Sequence, residues 1–330
     1  MDRLERVCVV GAGTIGSLFA GHLGGIIDTT VLTRREDHAH ALNAHGLRVS
    51  GKSERQVRVL ASTCAADLEK AGDIDLVIIA TKVLAVEESA RSFAGHFPRA
   101  HVLMVQNGLG CEEIVQRHGD WPIISGVTFM SGTRHSDTHV EYELDTATWM
   151  GPWAGGRATF AAVRRVEALV NRSGLKAEAY EDLLPHHWSK LIFNSAVNSI
   201  AAMTDLAHVG AFAQRARLED LGHLVHDMMD EARQIAAARG VQLADDPWAM
   251  NVRAVSQGAT GGDDYAHVPS MLDDVRNRRL TEVDWITGAI VREAHKAGLR
   301  APYHETLYRL VKAREASWNG KSGHGHREPS

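Results

Sequence analysis

Near the N-terminus the chain runs Arg6-Val7-Cys8-Val9-Val10, then Gly11-Ala12-Gly13-Thr14-Ile15-Gly16, then Ser17-Leu18-Phe19-Ala20-Gly21-His22-Leu23. An apolar run of strand length leads into Gly-x-Gly-x-x-Gly, and a helical run follows at once. In this strand, turn and helix context the glycines have separate jobs. Gly11 allows the tight turn, Gly13 lets the backbone approach a pyrophosphate, and Gly16 lets the helix pack on the sheet. Phosphates are expected at the helix N-terminus, where free N–H groups and the helix dipole favour negative charge. Gly11, Ala12, Gly13, Thr14, Ile15 and Gly16 are therefore candidate cofactor-binding residues.

Outward from this motif, apolar strands alternate with amphipathic helices. Strands are expected at 29–32, 74–80, 101–105 and 122–128, with helices near 86–97 and 112–117. Residues 74–80 form a continuous apolar run, as in strands buried on both faces of a parallel sheet. One or two strands in 140–150 and a closing helix at 161–171 complete the pattern. The reading is α/β, an N-terminal Rossmann-type doubly wound parallel sheet. Beyond about residue 182 strand signals stop, and 185–203, 218–239, 271–296 and 304–316 show helical periodicity. An all-helical C-terminal domain follows. The expected boundaries are 1–182 for the dinucleotide-binding domain, 183–317 for the helical substrate domain, and 318–330 for a polar, disordered tail. Gly258, Gly261 and Gly262 mark 257–264 as a mobile loop.

The length of 330 residues suits two domains at about 150 residues each. Hydrophobic residues make up 44% and charged residues 23%, the balance of a globular protein. Lys and Arg total 36 against 41 Asp and Glu, a net charge of -5, so no nucleic-acid partner is expected. A membrane span needs roughly 18 uninterrupted apolar residues, and no stretch approaches that. Met1 to Arg6 lacks a secretory pattern, so a cytoplasmic location is expected. Cys8, Cys64 and Cys111 are odd in number and widely spaced, which argues for reduced thiols rather than a disulfide framework. The 19 histidines show no compact ligand spacing, and no metal site is expected.

The end of the second strand selects the dinucleotide. An acid there hydrogen-bonds the ribose 2'-hydroxyl of NAD, whereas Arg accommodates the 2'-phosphate of NADP. Here the strand ends Thr33-Arg34-Arg35, and Glu36 and Asp37 come later, so NADP (NADPH) is the expected cofactor. Two more strand ends carry polar residues, Thr81-Lys82 and Gln106-Asn107-Gly108-Leu109-Gly110. With the glycine loop they describe one continuous edge. In the second half, Lys190, Asn194 and Asn198 recur every four residues among Leu191, Ile192, Phe193, Val197 and Ile200, forming a stripe that drifts about 40° per step. Polar groups on so apolar a helix either meet partners or line a cleft.

These segments, taken in order, resemble the ketopantoate reductases (2-dehydropantoate 2-reductases). The likeness rests on 9–16, 32–34, Thr81-Lys82, 106–110, Trp188 to Asn198 as Trp-x-Lys-x-x-x-Asn-x-x-x-Asn, 270–272, and 281–284 with Gly288. The resemblance implies reduction of ketopantoate to pantoate with NADPH, a step of pantothenate and coenzyme A biosynthesis. It also implies a Rossmann domain plus a helical domain with the active site in the cleft between them. Carried over position by position, Lys190 matches the proton donor and Asn194, Asn198 and Ser270 match substrate contacts. Asn107 matches a residue touching both nicotinamide and substrate, and Arg34, Lys82 and Glu282 match cofactor contacts. The implied partner is a small 2-keto acid.

The chain departs from the family pattern at Thr287, which precedes Gly288 where Asn is common, and at His208, which stands near a further substrate Asn. The stretch from Asn198 to Ser270 is also longer than usual. These departures leave open a same-family reductase of a different 2-oxo acid or ketone, and beyond it a non-catalytic NADP-binding regulator. Trp149, Trp153, Trp248 and Trp285 fit either a subunit contact, as in a homodimer, or core packing.

Overall fold

The computed structural model describes residues 4–206, 220–250 and 268–319. The chain divides into two compact units, Met1–Leu183 and Leu184–Ser330. In the first unit the order is β1 (Arg6–Val10), α1 (Thr14–Leu23), β2 (Asp28–Leu32), α2 (Glu36–His45), β3 (Leu47–Gly51), β4 (Arg55–Val57), β5 (Leu60–Ser62), α3 (Ala65–Lys70) and β6 (Leu76–Ile79). A short 3-10 turn, Val83–Ala85, then leads into α4 (Val86–Ser92), β7 (His101–Met104), α5 (Glu112–Gln116) and β8 (Ile123–Thr128). The unit closes with β9 (Ser131–Ser136), β10 (His139–Leu144), β11 (Thr148–Pro152), α6 (Phe160–Arg172) and β12 (Ala177–Ala179).

Eight strands form the main sheet in the order β12-β11-β8-β7-β6-β1-β2-β5. From β5 to β8 every pairing is parallel, and β11 returns antiparallel to β8. β1 pairs with β2 on one side and β6 on the other, setting Val10 opposite both Leu32 and Ile79. The strand order reverses at this point, and doubly wound sheets bind ligands beyond the carboxyl ends of the strands there. Val7, Val9, Leu76 and Ile78 on one face and Cys8, Val77 and Ile79 on the other are fully buried, as helix cover on both faces requires.

A second sheet, β4-β3-β10-β9, was not expected from the sequence. It explains a feature of α1, whose residues Gly16 to Leu23 are all buried rather than amphipathic. The helix packs on β1 and β2 on one side and on β3, β9 and β10 on the other. His22 is enclosed with it, near Ser173 O at 3.3 Å and Ser53 Oγ at 3.0 Å, and burial pulls its imidazole down to about 4.

The described part of the second unit is helical: α7 (Leu184–Thr204), α8 (Asp220–Ala238), α9 (Ser270–Arg276), α10 (Thr287–Lys296) and α11 (Pro302–Asn319). α7 is its central helix, packed against each of the other four. Leu191, Ile192, Ala196, Val197 and Ile200 are buried on it, and each large aliphatic side chain contributes roughly 1.5–3 kcal/mol. The stretch of helical periodicity over 271–296 is two helices. Arg278 is left-handed at φ 51°, Arg279 N donates to Asp274 O at 2.8 Å, and the buried Asp274 carboxylate pairs with Arg279 Nε at 2.9 Å. That cap ends α9 and frees 277–286 to take its own path.

The expected tail is also corrected at its start, because α11 continues through Trp318 to Asn319 with Trp318 half-buried. His208, the glycine loop 257–264 and residues 320–330 lie outside the described residues. The four tryptophans are half-buried, with Trp149 edge-on to Phe129 at 5.3 Å and Trp248 against His226 at 5.0 Å. Among the described residues no helix is long and apolar enough to cross a membrane, and no group of three or more His, Cys, Asp or Glu is placed to hold a metal ion.

Candidate active site

In the first unit the polar strand ends do share one edge. Gly11 N donates to Leu32 O at 2.9 Å and Ala80 N donates to Val10 O at 2.9 Å, which joins the ends of β2, β1 and β6. Gln106 Nε2 donates to Ile79 O at 2.7 Å and to Thr81 O at 3.0 Å, fastening the end of β7 to that of β6. Gly11 has φ 91°, and a Cβ there would strike Thr81 Cγ2. At Gly16 the neighbour that forbids a side chain is Gly11 O, ahead of Ala80 on the sheet. Its smallness therefore closes the loop upon itself, beyond the helix-to-sheet contact expected.

This edge fits a dinucleotide. A Cβ added at Gly13 meets nothing within 4 Å, leaving open space beside the first turn of α1, whose N–H groups have no intrahelical acceptors. Among the described residues Gln106 Oε1 is buried without a hydrogen-bond partner, an acceptor on the amide that joins the ends of β6 and β7. Lys82 is exposed at the end of β6, and Asn107 is half-buried after β7. Arg34 follows β2 with its side chain 77% exposed, and its nearest carboxylate is that of Glu88 at 3.7 Å. Arg35 differs, being held by Asp37 at 3.0 Å and by Asp137 at 2.5 Å. Glu36 and Asp37 lie in the first turn of α2, past the strand end, so among the described residues the cation there held more loosely is Arg34.

In the second unit Lys190, Asn194 and Asn198 lie along one face of α7. Lys190 and Asn198 are buried and Asn194 is half-buried. Burial pulls the Lys190 ammonium down from its ordinary range to about 7, and the Glu282 carboxylate opposes that shift. Glu282, itself buried, comes from the segment between α9 and α10. Ser270 is the first residue of α9, exposed, on a helix packed against α7.

A second polar row on α7 escaped the sequence reading. Ser195 and Ser199 are fully buried, about 100° around the helix from the asparagines. Ser199 Oγ bonds Thr287 Oγ1, so the family departure at Thr287 is a hydroxyl pair joining α7 to α10. Ser195 Oγ lies 3.0 Å from His304 Nε2, and His304 Nδ1 donates to Glu231 Oε1 at 2.7 Å. Glu231 also accepts from the backbone N–H groups of His304 at 3.0 Å and Tyr303 at 3.1 Å, capping α11 from a separate helix. Burial pushes the Glu231 carboxyl up, but these bonds outweigh it and hold the group below the usual carboxylate range. The stabilisation is therefore present above the ordinary glutamate pKa and lost as pH falls through the depressed one. Glu231→Ala should lower unfolding stability by about 2 kcal/mol near neutrality. Urea unfolding at pH 7 and at acid pH checks this; an undiminished difference in acid would contradict it.

Residues 7–155 match the family model described as Ketopantoate reductase PanE/ApbA, and residues 182–315 match Ketopantoate reductase PanE/ApbA C terminal. The chain is similar to the 2-dehydropantoate 2-reductase of Pyrococcus horikoshii, 30% identical over 315 residues, covering 96% of this chain and 99% of that one. Among solved structures, a PanE/ApbA family ketopantoate reductase from Ralstonia eutropha JMP134 superposes with a TM-score of 0.82 at 24% identity, over 95% of this chain and 99% of that chain. The ternary structure of D-mandelate dehydrogenase with NADH and anilino(oxo)acetate has the same TM-score, identity and coverage. At this identity the two structures speak for the fold alone.

Proposed function

Since the chain belongs to the ketopantoate reductase family and is accordingly an oxidoreductase, we propose that it reduces 2-dehydropantoate to pantoate with NADPH. The observation that carries this reading is Lys190, a buried lysine drawn down to about 7 on a helix face shared with Asn194 and Asn198. A lysine poised near neutrality is a competent proton donor, whereas a packing role would be filled better by an apolar side chain.

The glycine loop, Arg34, Lys82 and Asn107 would hold the cofactor, Arg34 at the 2'-phosphate. When bound, NADPH supplies a hydride to the 2-keto carbon. Lys190 stabilises the negative charge that develops on the carbonyl oxygen and then gives that oxygen its proton. Asn194, Asn198 and Ser270 offer hydrogen bonds to the substrate carboxylate and hydroxyl. Glu282 acts on Lys190 by favouring its charged form, which keeps a proton available. Catalysis by the chain is thus mostly positioning and electrostatics.

The test follows NADPH absorbance with 2-dehydropantoate and a panel of 2-oxo acids. Turnover of another 2-oxo acid in preference would move the substrate within the family, and no turnover at all would leave a cofactor-binding regulator. The reaction should also depend on pH with a defined sign. Reduction needs Lys190 protonated, so kcat/KM should fall about tenfold per pH unit above the lysine's pKa. In the free chain that limb is expected at about 7. Oxidation of pantoate should show the opposite limb, and a flat profile through this range would contradict the assignment.

A further inference from the structure

Glu282 is held from both sides by a helix that carries none of the residues assigned above. One residue before it, Thr281 donates through N and Oγ1 to the same Glu315 Oε1, at 2.8 and 2.7 Å. Thr281 Oγ1 also accepts from Val283 N at 3.3 Å, so the bond reaches around Glu282. Two residues after it, Asp284 accepts from Tyr308 OH at 2.7 Å and pairs with Lys312 Nζ at 3.0 Å. Lys312 lies 3.0 Å from Glu315 Oε2 as well, which closes the ring of contacts. Tyr308, Lys312 and Glu315 stand at i, i+4 and i+7, one face of α11. Thr281, Val283 and Glu315 are buried, so on that side of the ring lost partners cannot be replaced by water, while Asp284, Tyr308 and Lys312 are half-buried.

We propose that Tyr308, Lys312 and Glu315 are positioning residues for Glu282, fixing its segment so that its carboxylate keeps acting on Lys190. This rests on the reading of Lys190 as proton donor. Three other carboxylates on the helices packed against α7 have partners of their own. Asp274 on α9 pairs with Arg279, Glu231 on α8 bonds His304 on α11, and Glu293 on α10 pairs with Arg239 and Lys296. Glu282 is the carboxylate whose charge reaches the lysine, opposing the effect of burial. Loosening its segment therefore lets burial dominate, and the lysine should give up its proton at lower pH.

The experiment titrates Lys190 in the full chain labelled with 13C at lysine Cε, its resonance identified by its absence in Lys190→Ala. In Glu315→Ala and Tyr308→Phe the midpoint should move down by about half a pH unit or more, the direction expected when a nearby opposite charge withdraws. Glu315→Gln should lie closer to wild type, because its amide oxygen still accepts from Thr281. Adding Glu315→Ala to Glu282→Gln should move the midpoint no further. If Glu315→Ala does not fold, Tyr308→Phe, which removes one hydroxyl, decides. Unmoved midpoints in folded variants, even with lowered thermal stability, would overturn the proposal and leave the ring a structural brace. Retained turnover in Lys190→Ala, together with moved midpoints, would instead sink the proton-donor reading and leave the positioning intact.

Discussion

Lys190→Ala should lower turnover by about a hundred- to ten-thousand-fold, the usual loss when a positioned general acid is removed. Lys190 is buried, its ammonium is already weakened by burial, and Glu282 maintains its charge, so the alanine variant loses both the proton and the field on the carbonyl oxygen. NADPH affinity should change little, because the proposed cofactor contacts, Glu282 excepted, lie in the first unit. Lys190→Arg should not restore the rate. A guanidinium stays protonated, and its planar fork cannot occupy the point an ammonium fills. Single-turnover and steady-state rates on folded protein at saturating NADPH check this. Near-normal turnover would shift the proton to an ordered water.

The second large effect concerns the cofactor. Arg34→Ala should weaken NADPH binding by about ten- to a hundredfold, corresponding to the loss of a hydrogen bond to a charged group, roughly 1.5–3 kcal/mol. NADH binding should barely change. The Arg34 side chain is 77% exposed and its contact with Glu88 at 3.7 Å is a surface pair of little worth, so the guanidinium is free to turn to a phosphate. Arg35 provides the contrast. Committed to Asp37 and Asp137, it should matter less, and Arg35→Ala should leave the NADPH to NADH ratio closer to wild type. Equal loss for both cofactors in Arg34→Ala, or a wild-type preference for NADH, would refute the NADPH assignment.

The legible parts of this chain were those with a local period. β1, β6 and β7 are mostly apolar runs bounded by turns, and these strands, with β2 and β8, were found within a few residues of their places. The polar row on α7 was legible because steps of four recur within one helix. β9 was not, since Ser131 to Ser136 contains no apolar residue; it is a strand because β10 supplies its ladder. α1 looked amphipathic in pattern yet is buried all round, because the sheet that covers it is drawn partly from residues more than a hundred positions away. Glu282 and Ser270 were named only through the family resemblance, as no spacing links either to Lys190.

Sequence alone therefore determined the doubly wound sheet, the glycine loop with its following arginine, and the row of Lys190, Asn194 and Asn198. Each is written in neighbours close enough along the chain for backbone geometry to set their relation. Tertiary structure decided that Arg34 is held more loosely than Arg35, that Thr287 answers Ser199, and that Ser195, His304 and Glu231 form one buried chain. It also decided that α11 braces the segment of Glu282. These pairings join residues far apart in sequence, and a polar group's partner is set by which helices exclude water around it, a property no local pattern encodes.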